Sequence, residues 1–157
     1  MIQVQIQQEP IALAAEQDAL WRGRPQVGAL VSFIGLMRDM NEGLAVSGMT
    51  LEHYPGMTEK ALAGIAEEAA GRWDLEAIRI VHRVGPLVPQ DPIVFVGVAG
   101  RHRGEAFRAC EFLIDYLKTR APFWKKESTA DGERWVEARD ADEETARRWQ
   151  TELKADG

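Results

Sequence analysis

A chain of 157 residues, 45% hydrophobic and 28% charged, is long enough to bury one core and too short for two ordinary domains, so residues 1–157 read as a single domain. A net charge of −6 speaks against a general nucleic-acid binder, and the longest apolar run, Ile93 to Gly100, falls far short of a membrane span. One cysteine excludes an internal disulfide framework, and the start, MIQVQIQQEP, lacks the basic-then-apolar pattern of a secretory leader, so the expected compartment is the reducing cytoplasm.

Residues 2–7 alternate as a short strand, and Ile11 to Trp21 predicts a helix entered through Pro10. Val27 to Met37 is apolar and partly β-branched and predicts a buried strand, with Gly28 and Gly35 as candidate bulges. Asp39 to Gly48 is polar and glycine-containing, which predicts a mobile loop. Met49 to Tyr54 resumes a strand, Pro55-Gly56 turns the chain, and Thr58 is placed to cap a helix reaching about Trp73. Ile78 to Val84 and Ile93 to Ala99 predict two more strands around the turn-rich Gly85 to Pro92. From Gly104 to about Arg120, Phe107, Cys110, Ile114 and Leu117 recur at helical spacing, and Pro122 ends that helix. Phe123 to Ser128 and Arg134 to Ala138 predict a hairpin around Asp131-Gly132. The polar tail, about 141–157, contains Trp149 and is assigned a last helix. Helices and strands mix without regular βαβ alternation, which favours an α+β fold over a doubly wound sheet.

Charge is unevenly spread. Between Arg101 and Lys126 seven Lys/Arg stand against three acids, a local balance of +4 that leaves −10 for the rest. Such an island suits a small anionic ligand or an acidic peptide, or is a solvated helix face laced with ion pairs. A metal site is not expected, because His53, His82 and His102 lie far apart and no CxxC, HxH or HExxH spacing occurs. No GxGxxG or P-loop appears either. Cys110 shares its helical face with Phe107 and Ile114, so it reads as core and not as a sulfur carrier.

Asp115-Tyr-Leu-Lys-Thr-Arg-Ala-Pro-Phe-Trp-Lys-Lys-Glu127 is the most informative stretch. Lys118 lies about 20° from Phe107 on a helical wheel, which predicts that it projects from the apolar face. There it is either an ion-pair partner of Asp115, a cation suited to the helix C-terminus, or a partly dehydrated amine fit for chemistry. After Pro122 an extended chain would turn Phe123, Lys125 and Glu127 one way and Trp124, Lys126 and Ser128 the other, bringing Lys125 near Lys118. Arg101-His102-Arg103 falls at a strand-to-helix junction, either a phosphate site or a cap with surface charges. Arg38 is a surface arginine unless the fold carries it to the lysines.

Together, Phe33-Ile-Gly-Leu-Met-Arg38, LEHYPGM (51–57), Val81-His-Arg-Val-Gly85, His102-Arg103, DYLKTRAPFWK (115–125) and Arg134-Trp-Val-Glu-Ala-Arg139 resemble the molybdopterin synthase large, catalytic subunit family, over about residues 27–140. The resemblance implies an α/β-hammerhead with a mixed or antiparallel sheet. It implies a sulfurtransferase acting on cyclic pyranopterin monophosphate, which receives two sulfurs to become the molybdopterin dithiolene. The sulfur would arrive on the C-terminal Gly-Gly thiocarboxylate of a small ubiquitin-like carrier subunit, so no resident cofactor is implied. The large subunits would form a homodimer within a 2:2 heterotetramer. Carried over, Lys118 and Lys125 are catalytic, and Leu36, Met37, Arg38, His102, Arg103, Lys126 and Glu127 contact the substrate. Arg139 would reach the neighbouring subunit's site. The position of Leu36 is often basic in the family, so a contact there would come from its backbone. The rival reading is a non-catalytic subunit that holds a phosphorylated ligand or an acidic peptide through the 101–126 island.

Overall fold

In the computed structural model residues 1–136, 144 and 146–150 are described. The chain runs β1 (Ile2–Gln7), α1 (Leu13–Trp21), β2 (Ala29–Leu36), β3 (Met40–Asn41), β4 (Leu44–His53), α2 (Met57–Arg72), β5 (Leu75–Arg83), β6 (Gly85–Leu87), β7 (Pro92–Gly100), α3 (Arg103–Arg120), β8 (Phe123–Thr129) and β9 (Gly132–Val136). Two sheets result. The first has the order β1-β5-β7-β2, with β1 parallel to β5 and the other neighbours antiparallel. The second has the order β3-β4-β8-β9, antiparallel, with β6 also paired to β4. This is the α+β architecture that the sequence predicts.

The first sheet is covered on both faces, and the period-2 alternation of its central strands sorts the core. Val94, Val96 and Val98 of β7, with Ile78 and Ile80 of β5, pack against α2 and α3. Phe95 and Ala99, with Ala77 and Val81, face Leu20 and Ile11 beside α1. Gly97 belongs to that second face, where a Cβ would come within 2.3 Å of the Leu20 methyl; its lack of a side chain is what lets α1 settle onto the sheet. On the other face Trp149, in a helical segment at 146–150, packs edge-on against Trp73 and Phe112 at 5.8 and 5.5 Å. The second sheet has its own small core of Met37, Val46, Met49, Leu51 and Leu87.

Four expectations need correction. The segment read as a mobile loop from Asp39 to Gly48 is a tight hairpin: Asn41 pairs with Leu44, and the turn residues Glu42 and Gly43 both have positive φ, 52° and 77°, the pattern that matches strand twist. A left-handed glutamate hides this turn from a search for Asn-Gly. Strand β2 is not fully buried but lies on a sheet edge, with Phe33 and Leu36 exposed; its bulge falls at Gly35/Leu36. Thr58 does not cap α2. The helix begins one residue before it, and Glu59 instead accepts a hydrogen bond from the Gly56 N–H.

Helix α3 presents a different face to the core from the one its spacing predicts. Phe107 is 61% exposed, and the buried stripe is Ala106, Ala109, Cys110, Phe112, Leu113, Tyr116 and Leu117. Lys118 stays close to Phe107 in angle, so it too sits on the exposed flank and not on the apolar face.

Candidate active site

Where α3 gives way to β8, the chain is pinned to the start of α2. The Thr58 hydroxyl donates to the Pro122 carbonyl at 3.0 Å and accepts from the Tyr54 N–H at 2.9 Å. Strand β8 then pairs with β4 in the register His53↔Phe123, Leu51↔Lys125 and Met49↔Glu127. Its alternation does what extended backbone requires: Phe123, Lys125 and Glu127 line a cavity of ≈ 280 Å³, while Trp124 is exposed. The last turn of α3 adds Lys118, and the end of β2 adds Leu36, Met37 and Arg38. The two lysines and Arg38 therefore share one chamber, although they come from three separate elements.

Each of the remaining walls carries a polar group held in place by neighbours. Glu127 is 4% exposed; its Oε1 accepts from Asn41 Nδ2 at 2.6 Å, with the Arg134 guanidinium 3.8 Å away. Arg134 also donates to the Asn41 carbonyl at 3.0 Å, which ties the β3–β4 hairpin to the β8–β9 hairpin.

His82, 5% exposed, ends the β5 row that begins with Ile78 and Ile80. Its ring lies flat on Phe123, centroids 3.9 Å apart and planes 18° from parallel. Nδ1 sits 2.8 Å from the Arg83 carbonyl. A carbonyl only accepts, so Nδ1 carries the proton and Nε2 the lone pair. Burial pushes the imidazole down to about 4; the Arg83 carbonyl opposes that shift, and Lys125, Lys118 and His53 reinforce it. A neutral ring thus sits beside the side chains of two lysines.

The remaining predicted contacts lie elsewhere. Lys126 points away from the cavity, 2.9 Å from Glu133 and 5.6 Å from the Trp135 ring centroid; Glu133 raises its pKa. His102 and Arg103 start α3 and so stand roughly 22 Å along the helix from Lys118, at about 1.5 Å per residue. Neither lines the cavity of its own chain. Arg139 lies outside the described residues. Asp115 is held by Trp149 Nε1 at 2.6 Å and by Arg148 at 3.4 Å, so its carboxylate is anchored to the core side of α3. Cys110 is core, as its stripe predicts: burial first, then Glu111, push its thiol up to about 12, which leaves it inert as a nucleophile. Among the described residues no group of three or more His, Cys, Asp or Glu side chains could hold a metal ion.

Sequence reasoning assigns no site role to His82, Asn41 or Arg134. His82 is weighed there only as a metal ligand, because its stack with Phe123 joins strands about forty residues apart in sequence.

Comparison with known proteins adds to this geometry. The family model described as "MoaE protein" matches residues 6–120. The chain is 60% identical over 146 residues to the molybdopterin synthase catalytic subunit of Ralstonia nicotianae, covering 93% of this chain and 83% of that one. It is 57% identical over 126 residues to the Escherichia coli protein of that name, covering 80% and 84%. Among solved structures, it is similar to the MoaE protein from Burkholderia ambifaria, with TM-score 0.83 and 53% identity over 96% of this chain and 99% of that one. Molybdopterin synthase from Staphylococcus aureus follows with TM-score 0.79 and 36% identity, over 84% and 95%. A complex of subunits 1 and 2 of the Helicobacter pylori molybdopterin-converting factor shares the fold, with TM-score 0.71 at 18% identity over 87% and 91%.

Proposed function

The chain belongs to the MoaE protein family and is a molybdopterin synthase catalytic subunit; from that premise we propose that the Lys118–Lys125 cavity is where sulfur passes from a carrier's thiocarboxylate to cyclic pyranopterin monophosphate. The observation that carries the reading is the convergence of Lys118, Lys125 and Arg38 on one ≈ 280 Å³ chamber in a protein whose only thiol is buried. Sulfur must then arrive from outside. A small ubiquitin-like subunit with a C-terminal Gly-Gly thiocarboxylate brings it on a tail thin enough to thread a narrow site. Two such deliveries make the dithiolene, and the carrier leaves as a carboxylate each time. No resident cofactor takes part.

In this reading the thiocarboxylate sulfur bonds to the pterin, and water then cleaves the acyl–sulfur bond to release the carrier as a carboxylate. Lys118 supplies the amine that takes up and returns the proton. Lys125 remains charged and steadies the negative oxygen or sulfur that develops. Arg38 and the backbone of Leu36 and Met37 receive the pterin phosphate, and Glu127 orients the pterin from the opposite wall. His102 and Arg103 reach a pterin only from a second copy of the chain, because α3 holds them roughly 22 Å from their own Lys118. That geometry supports a dimer of catalytic subunits within a 2:2 complex. Arg139 is assigned to the neighbouring site on the resemblance alone. Among the described residues no helix is long and apolar enough to cross a membrane, and we place the reaction in the cytoplasm.

Incubation of the protein with thiocarboxylated carrier and cyclic pyranopterin monophosphate tests the proposal. Molybdopterin should form as the thiocarboxylate is consumed; an intact thiocarboxylate and no product would reject it.

A further inference from the structure

The cavity carries more donors than acceptors. Arg38, Lys118 and Lys125 all offer N–H groups, and the one carboxylate on the wall, Glu127, has Oε1 engaged by Asn41, which leaves Oε2 to orient the pterin from that side. A ligand that carried only negative charge would suit such a chamber. A pterin is different, because its ring system also presents N–H groups that need acceptors.

His82 provides one. The ring is fixed on three sides: backbone pairing sets β5 between Ile6 of β1 and Val94 of β7, Phe123 covers one ring face, and Nδ1–H is committed to the Arg83 carbonyl. Among the described residues Nε2 has no hydrogen-bond partner and keeps its lone pair, on a side chain that lines the cavity. The charged or titratable groups that act on the ring are Lys125 from β8, Lys118 from α3 and His53 from β4. The two lysines offer donors, and His53 does not line the cavity but faces Glu59 at 3.2 Å, so none of them supplies the acceptor in its place.

We propose, resting on the function assigned above, that His82 is a specificity-determining contact whose Nε2 accepts a hydrogen bond from an N–H or O–H group of the bound pterin, while Lys118, Lys125 and Arg38 hold its anionic parts. The site then selects ligands that join an anion to a hydrogen-bond donor, and anions without the donor bind less well.

Two substitutions separate this role from a structural one. Asparagine at 82 can keep the donor that satisfies the Arg83 carbonyl but does not reach the position of Nε2; glutamine reaches that position with an acceptor. For His82→Asn the KM for cyclic pyranopterin monophosphate should rise about 3- to 10-fold, the loss expected of one neutral hydrogen bond, with kcat and carrier affinity near wild type. His82→Gln should recover part of that loss. In the unmutated protein, the Nε2 nitrogen resonance should move when the pterin is added. A folded His82→Asn protein with unchanged KM, or an Nε2 resonance that the pterin leaves in place, overturns the assignment while active wild-type protein leaves the function standing. Wild-type protein that makes no molybdopterin overturns both.

Discussion

His82 shows how much one side chain's surroundings decide. Its ordinary value of 6.5 falls to about 4 on folding, chiefly through burial. The unfolded chain therefore binds a proton below pH 6.5 that the folded chain refuses until about pH 4. Folding stability from this group is complete above 6.5 and is lost as pH drops through that window, a linkage of about 3 kcal/mol. Denaturant titrations at pH 7 and pH 4.5 should show His82→Phe losing less stability on acidification than the wild type. Equal losses would mean that His82 is not the buried neutral ring described here. Lys118 poses a different question, since it sits on the exposed flank of α3 and yet lines the cavity. Arginine in its place keeps the charge but holds its proton at any working pH. Lys118→Arg should thus be nearly as inactive in sulfur transfer as Lys118→Ala while still binding carrier and pterin. Substantial turnover by the arginine variant would reduce Lys118 to a charge and move the amine chemistry to Lys125.

Among the elements, β8 and α3 were legible because a single periodicity governs each. The alternation Phe123, Lys125, Glu127 follows from extended backbone after a proline, and the structure shows those three on one wall. The stripe of α3 was legible in outline and misplaced by one residue of phase, because Phe107 is apolar yet exposed and nothing local marks it so. Hairpin β3–β4 was illegible for a conformational reason: Glu42 takes a φ of 52° that glycine or asparagine more often supplies. What stabilises it is tertiary, namely Asn41 on Glu127 and Arg134 on the Asn41 carbonyl. Asn41→Ala leaves a buried carboxylate short of a donor and should cost about 1–3 kcal/mol. It should also speed amide exchange in residues 40–45 more than in β7. Uniform exchange across the molecule would show that the hairpin does not depend on this link.

At the scale of the whole molecule, what the sequence could not show is which residues share a chain when they share a site. Lys118, Lys125 and Arg38 meet in one copy; His102 and Arg103, at the far end of α3, do not join them. If a second copy supplies them, two inactive variants should complement. In a mixture of Lys118→Ala and Arg103→Ala chains, half of the dimers are hybrids and each hybrid carries one intact site, so about a quarter of wild-type activity should return. Sites built within single chains would give none.

On the function proposed above, this protein transfers sulfur that it never holds on its own thiol. Carrier loaded with isotopically labelled thiocarboxylate and mixed with the Cys110→Ala protein and cyclic pyranopterin monophosphate tests it in one step. Both sulfurs of the resulting dithiolene should carry the label, at a rate near that of the wild type. An unlabelled dithiolene, or a folded Cys110→Ala protein that transfers no sulfur, would contradict the account.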